Sequence, residues 1–341
     1  MEGQRAAIKA IFSHLPVGKL TNEQLAREFA DADADKIFMK TGIAERGISA
    51  SDECASDLGV AAAKHMFESG ASSPEEIDFL LFCTQSPDYF LPTTACTMQS
   101  RLGLRTDCGA IDINQGCSGY VYGLALAKGL IETGAATRVL LITADTYTKF
   151  INPRDMTVRT LFGDGAAATL VEAITSDRDL IGPFVFGTDG RGAEQLIVPA
   201  GGTRKPVSAE AVIEKEDERG NWRSECNLYM NGGEVFNFTL QQVPQAMYEL
   251  LQRSGLSLEQ VDYVFPHQAN KFMLERLRAK MKIPAEKFFI GMEKSGNTVS
   301  ATIPIALENA KRQGRIKPHD RVALLGFGVG YSWAAAMVEI A

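Results

Sequence analysis

Three residues stand where chemistry could be done: a cysteine, a histidine and an asparagine. Cys117 follows an apolar run at 110–113 that reads as a short buried strand, and precedes an apolar segment at 121–131 that reads as a buried helix. A thiol at a strand-to-helix turn meets the helix's unpaired N–H groups and the positive end of its dipole, which favour the thiolate. That makes Cys117 a candidate nucleophile, although a free cysteine is just as commonly a small buried hydrophobe. His267 directly follows a strand predicted at 261–265, and Asn297 lies between Gly296 and Thr298 ahead of a helix running through Ala310. Taken singly, such a histidine is more often a satisfied structural residue, and such an asparagine can merely serve a turn or a helix cap.

An internal duplication links the three. Ser69-Gly-Ala-Ser72 returns as Ser254-Gly-Leu-Ser257, Glu76-Ile-Asp-Phe79 as Gln260-Val-Asp-Tyr263, and Arg138-Val-Leu-Leu141 as Arg321-Val-Ala-Leu324, at offsets of 185, 184 and 183. Three weak matches at nearly one spacing imply two copies of one unit, residues 1–174 and 175–341. The spacing sets the Cys83 strand end opposite His267, and Cys117 roughly opposite the Gly296-Asn297 turn. Equivalent strand ends related by a pseudo-twofold axis can converge on one site.

The positioning elements follow from pattern. Continuous apolar strands at 77–84, 138–144 and 321–325 suit parallel sheets covered on both faces. Further strands are expected at 6–15, within 161–171 and at 331–340. Helices are expected at 33–39, 55–67, 95–102, 233–251 and 271–282, and Thr21 with Gln24 forms a capping-box pattern. Alternation of helix and strand in both halves predicts a layered α/β fold. His14, His65 and His319 read as surface or structural residues. Residues 145–159 read as polar loop, and 189–231 as a glycine-rich surface excursion without a core of its own.

The totals narrow the function. The chain has 341 residues, 45% of them hydrophobic and 23% charged, with a formal net charge of -7, which argues against a non-specific nucleic-acid binder. No apolar run is long enough to span a bilayer, and the opening residues show no signal-peptide pattern, so a cytoplasmic protein is expected. The six cysteines make no disulfide framework and the four histidines no His-x-x-x-His pair, so reduced thiols and no metal are expected.

At these residues the chain resembles the thiolase superfamily, and within it the β-ketoacyl-acyl-carrier-protein synthase III family. The matching segments are Lys40-Thr-Gly-Ile-Ala-Glu-Arg46, Asp112 to Gly119, Phe162-Gly-Asp-Gly165, Met230-Asn-Gly-Gly-Glu-Val-Phe236, Pro266-His-Gln-Ala-Asn270, Gly296-Asn-Thr298 and Gly326-Phe-Gly-Val-Gly-Tyr-Ser-Trp333. The resemblance implies a five-layer αβαβα fold, a homodimer, no cofactor, and acyl-coenzyme A or acyl-carrier-protein thioesters as substrates. It implies a Cys117, His267, Asn297 triad, with backbone N–H groups of Cys117 and Val329 as oxyanion donors and Thr41, Leu91, Gly232, Phe236 and Asn270 along the substrate path. The implied reaction is decarboxylative Claisen condensation of an acyl primer with malonyl-acyl carrier protein, as in fatty-acid biosynthesis. The alternatives are acyl transfer from Cys117 to an amine or hydroxyl in a specialised pathway, or a non-catalytic dimer partner, which usually lacks the nucleophile.

The chain departs from the family at the donor end. Lys36 and Met156 stand where a tryptophan and an arginine usually hold adenine, and Lys40 and Phe272 replace two further arginines. Arginine-to-lysine is not a neutral change at a bidentate phosphate site. Leu91, where the family often has phenylalanine, implies room for a longer primer. Lys271, Arg276 and Arg278 belong to a basic stretch expected to dock the acidic carrier protein, though such runs are commonly just solvated.

Overall fold

In the computed structural model, which describes residues 3–30 and 32–341, nine strands form two sheets around a shared helical layer. The first sheet is ordered Gly3–His14, Gly165–Ser176, Arg138–Asp145, Phe79–Cys83, Gly109–Ile113. Its second strand runs antiparallel to both of its neighbours, and the last three strands are parallel. The second is ordered Ile181–Thr188, Ser332–Glu339, Arg321–Gly328, Tyr263–Pro266, and repeats the directions of the first four. A single parallel bridge from Val264 to Phe288 stands where a fifth strand would lie.

Helices complete the layers. Ala55–Glu68 and Thr94–Arg101 cover the outer face of the first sheet, and Gly232–Ser254 with Lys271–Lys280 covers that of the second. Gly119–Glu132 and Thr302–Arg312 lie between the sheets. The order is αβαβα, as expected. The central strands are apolar on both faces because helices cover both: Leu80, Leu81, Phe82 and Leu140 to Ile142 are fully buried. Close packing dictates small residues in the middle layer. A Cβ on Gly123 would lie 2.6 Å from Leu141 Cδ1.

Thr21 and Gln24 form the expected capping box, with the Thr21 N–H donating to Gln24 Oε1 at 2.7 Å. Three other expectations change. Strand Ile181–Thr188 escapes the pattern because Gly182, Pro183 and Gly187 interrupt it; it is an edge strand, where a missing N–H is tolerated. Residues 145–159 contain two helices too short to show periodicity, Tyr147–Phe150 and Met156–Arg159. The excursion at 189–231 carries two small strand pairs and contributes Leu196 and Leu228 to the core of the second half, so it is anchored rather than superficial. His14, half-buried, and His65, exposed, are surface or structural residues as expected, their rings tilted against each other with centroids 5.3 Å apart.

Candidate active site

Cys117 lies in a tight turn after strand Gly109–Ile113, immediately before Ser118, the N-cap of the central helix Gly119–Glu132. The strand Arg321–Gly328 from the other half presses against that turn through glycines. A Cβ on Gly326 would come 2.7 Å from Ser118 Cα, and one on Gly328 would come 2.8 Å from Cys117 Sγ. Ser118 Oγ also meets Ser332 Oγ at 2.7 Å. The two halves therefore meet backbone to backbone around the thiol.

Ionisation differs from the helix-terminus expectation. Burial pushes the Cys117 thiol up to about 12, while N–H groups of Val329 and of Cys117 itself draw it partly back and Asp145 pushes it further up. Burial likewise lowers His267 to about 3. Burial thus favours a neutral thiol and a neutral imidazole over a thiolate and an imidazolium. The two N–H groups that reach the sulfur are those the resemblance assigns to an oxyanion.

His267 directly follows strand Tyr263–Pro266 and donates its backbone N–H to Leu325 O at 2.7 Å, which continues the pairing with the neighbouring strand. Its ring packs edge-on against Phe327, centroids 5.5 Å apart, and Nδ1 lies 2.7 Å from Thr302 Oγ1. Asn297 is held through its main chain: its N–H donates to Leu161 O at 2.9 Å, and its carbonyl accepts from the Gly163 N–H at 3.1 Å. Its Oδ1 accepts from the Val299 N–H at 3.0 Å, which leaves the amide NH2 free to donate elsewhere. Beneath this segment Arg46, fully buried, donates to Thr160 O, Leu20 O and Asn22 Oδ1.

Cys117, His267 and Asn297 line one cavity of about 1000 Å³. Phe327 and Gly328 line it beside them, and Thr41, Gly232, Phe236 and Asn270 line it further along. Asn270 also caps the helix Lys271–Lys280, accepting the Met273 N–H at 2.9 Å. Phe236 stacks on Phe272 at 5.7 Å. Lys36, Lys40 and Met156 all line the same cavity.

Leu91 does not line the cavity within its own chain; it is 82% exposed on a loop with Phe90 and Tyr89. Arg278 is not a free surface cation, since its guanidinium bonds Glu275 at 2.9 Å and Ile283 O at 3.1 Å. Arg276 is exposed and lies over the Phe272 ring at 5.4 Å, and Lys271 is exposed beside Gly42. Cys83 is buried and donates to the Gln115 carbonyl at 3.2 Å, outside the cavity wall.

Sequence reasoning missed three participants. Asp145 closes the strand behind Cys117 and accepts from Ser300 Oγ at 2.5 Å and from the Gln85 N–H at 2.8 Å. Thr302 has no local signature, because its partner is 35 residues away. The hairpin Lys215-Glu216/Trp222-Arg223 puts Asp217, Glu218, Arg219 and Arg223 on the cavity wall. Its signal was the turn Asp217 to Asn221, with Gly220 at φ 78°, inside the stretch read as irregular. Among the described residues no cluster of three or more His, Cys, Asp or Glu is arranged to hold a metal, and no helix is long and apolar enough to cross a membrane.

Known proteins share both sequence and shape with this chain. The 3-oxoacyl-[acyl-carrier-protein] synthase III profile matches residues 111–190, and the C-terminal profile of the same family matches 251–340. A β-ketoacyl-[acyl-carrier-protein] synthase III from Caldanaerobacter subterraneus subsp. tengcongensis is 39% identical, over 98% of this chain and 97% of the relative. A crystal structure of a 3-oxoacyl-(acyl-carrier-protein) synthase III superposes with TM-score 0.98 at 55% identity, covering 98% of this chain and 100% of the other. A 3-oxoacyl-(acyl-carrier protein) synthase from Burkholderia xenovorans gives 0.90 at 37% identity, covering 100% and 95%. Likeness across the whole length, joined to the five-layer architecture, puts the molecule among the thiolase-fold acyltransferases. Within that class the chain belongs to the 3-oxoacyl-[acyl-carrier-protein] synthase III family, whose members are condensing enzymes.

Proposed function

We propose that the cavity condenses an acyl thioester primer with malonyl-acyl carrier protein, using Cys117, His267 and Asn297. The observation that carries this reading is the meeting of those three side chains, from both halves of the chain, on one cavity wall. Cys117 Sγ attacks the primer carbonyl, the bond to the donor sulfur breaks, and the thiol proton leaves with the departing thiolate. Backbone N–H groups of Cys117 and Val329, already within reach of the sulfur, stabilise the tetrahedral oxyanion. The malonyl thioester then loses carbon dioxide. Its enolate oxygen accepts from His267 Nε2–H and from the Asn297 amide, and its carbon attacks acyl-Cys117 to release a β-ketoacyl thioester.

Incubation with malonyl-acyl carrier protein tests this. The parent should release carbon dioxide and form a β-ketoacyl product once primed. Asn297→Ala and His267→Ala should still load acyl groups on Cys117 but lose decarboxylation by about 10²-fold or more. Transfer of the acyl group to an amine or hydroxyl without carbon dioxide release would reject the reading.

The remaining parts of the reading concern assembly and recognition. The strand Gly109–Ile113 ends its sheet with an unpaired edge and a 43% exposed Ile111. Its Asp112 holds the N-terminus of the helix that follows the exposed Tyr89-Phe90-Leu91 loop. These features support a homodimer in which a second copy continues the sheet and Leu91 reaches the partner's cavity. Ile111→Lys should yield monomers in analytical ultracentrifugation, and a persistent dimer would exclude this edge. Exposed Arg276 and Lys271 support docking of the carrier protein, with Arg278 removed from that set by its internal bonds. Arg276→Glu should weaken carrier-protein kinetics and spare a small thioester. Six unpaired cysteines support work in a reducing compartment such as the cytoplasm. The halves 1–174 and 175–341 supply nucleophile and enolate donors respectively.

A further inference from the structure

His267 is buried and uncharged, so its ring carries one proton, on Nδ1 or on Nε2. Which nitrogen holds it decides whether the ring can donate to an oxyanion in the cavity. Nδ1 lies 2.7 Å from Thr302 Oγ1, and that same oxygen lies 3.1 Å from Val299 O. Thr302 is itself 2% exposed and stands off the cavity wall. Its hydroxyl has a single hydrogen, and the Val299 carbonyl can only accept. If the hydrogen goes to Nδ1, the ring proton must sit on Nε2. If it goes to Val299 O, the hydroxyl accepts from Nδ1–H, and Nε2 is left a bare lone pair.

We propose that Thr302 is a positioning residue: its hydroxyl donates to His267 Nδ1 and holds the ring in the Nε2–H tautomer. The ring contact is the closer of the two, 2.7 Å against 3.1 Å to Val299 O, and only with the hydroxyl hydrogen on Nδ1 does Nε2 keep the proton that the enolate-facing role needs. Val299 O lies beside the same hydroxyl and can only accept, so once the hydroxyl is gone it is the group left to draw the ring proton onto Nδ1. The same turn orients the second donor, since the Val299 N–H holds Asn297 Oδ1 at 3.0 Å. Val299 achieves both contacts at φ 54°, a left-handed conformation unusual for a β-branched residue. One strained turn therefore fixes the direction of two donors. The proposal rests on reading His267 as the enolate-facing donor.

The test uses the intact chain labelled with 15N-histidine, which has only four such residues to resolve. The His267 signals are assigned from the His267→Ala variant. The parent should show the Nε2–H signature, Thr302→Val the Nδ1–H signature, and Thr302→Ser the parental one. In kinetics, Thr302→Val should lose malonyl decarboxylation by about 10²-fold, with single-turnover acylation of Cys117 nearly unchanged and Thr302→Ser restoring the rate. An Nδ1–H parent, an unmoved tautomer in Thr302→Val, or equal loss of both half-reactions overturns the proposal. The parent spectrum alone decides against it even should Thr302→Val fail to fold. Should His267→Ala keep full decarboxylation, the functional reading fails, and the spectra still judge the tautomer.

Discussion

Ser300 Oγ donates to Asp145 Oδ2 at 2.5 Å, a buried bond between the strand end behind Cys117 and the turn that carries Asn297. The Ser300 N–H donates to the same oxygen at 3.1 Å. One carboxyl group thus ties the end of strand Arg138–Asp145 to the turn that follows Asn297.

That tie should be visible in the pH dependence of stability. Burial pushes Asp145 from its ordinary 3.8 up to about 7. Between those values the folded chain keeps a proton that the unfolded chain has released. The group's contribution is therefore fully present at low pH and is lost as pH rises through the folded value, at about 1.4 kcal/mol per unit. Asp145→Asn cannot titrate. Urea unfolding should show the parent's advantage over Asp145→Asn larger at pH 5 than at pH 8; parallel profiles would contradict the buried proton.

A thiol held up to about 12 has consequences for alkylation. Its thiolate fraction rises tenfold per pH unit throughout the neutral range. Iodoacetamide modification of Cys117, followed by peptide mass spectrometry to separate it from exposed Cys96, should accelerate steadily from pH 7 to 9. A plateau near neutrality would mean an ion pair with His267 in the resting site.

Gly328 gives the sulfur its room. Because a Cβ there would lie 2.8 Å from Sγ, Gly328→Ala must displace the thiol or the strand. Single-turnover acylation should fall by at least about tenfold, and folding stability should drop by about 1–3 kcal/mol. Unchanged acylation would show that the contact relaxes without effect.

Donor recognition can be tested by gain of function. Lys36 and Met156 line the cavity at positions where the family usually places a tryptophan and an arginine. Installing both, as Lys36→Trp with Met156→Arg, should lower KM for acyl-coenzyme A donors and leave acyl-carrier donors and kcat largely unchanged. Steady-state kinetics with the two donor classes decides it, and an equal change for both would discount an adenine-specific effect.

Much of this was legible in the residue order, for local reasons. Apolar strands covered on both faces, the spacing of the repeats, and the small residues around Cys117, His267 and Asn297 are all written in short stretches of chain. They specify the layered fold and name the three side chains that share the cavity. Strand Ile181–Thr188 and the hairpin near Gly220 escaped because glycine and proline blur the pattern that marks a strand.

What only the tertiary structure decided is the state of those side chains. The helix terminus favours a thiolate at Cys117, yet desolvation by both halves outweighs it, and desolvation is a sum over everything packed around the sulfur. The same holds for Arg278, whose neighbours claim its charge, and for His267, whose proton depends on a threonine 35 residues away. Sequence pattern sets which groups can react; the enclosing surfaces set their charge, because solvent exclusion has no counterpart along the chain.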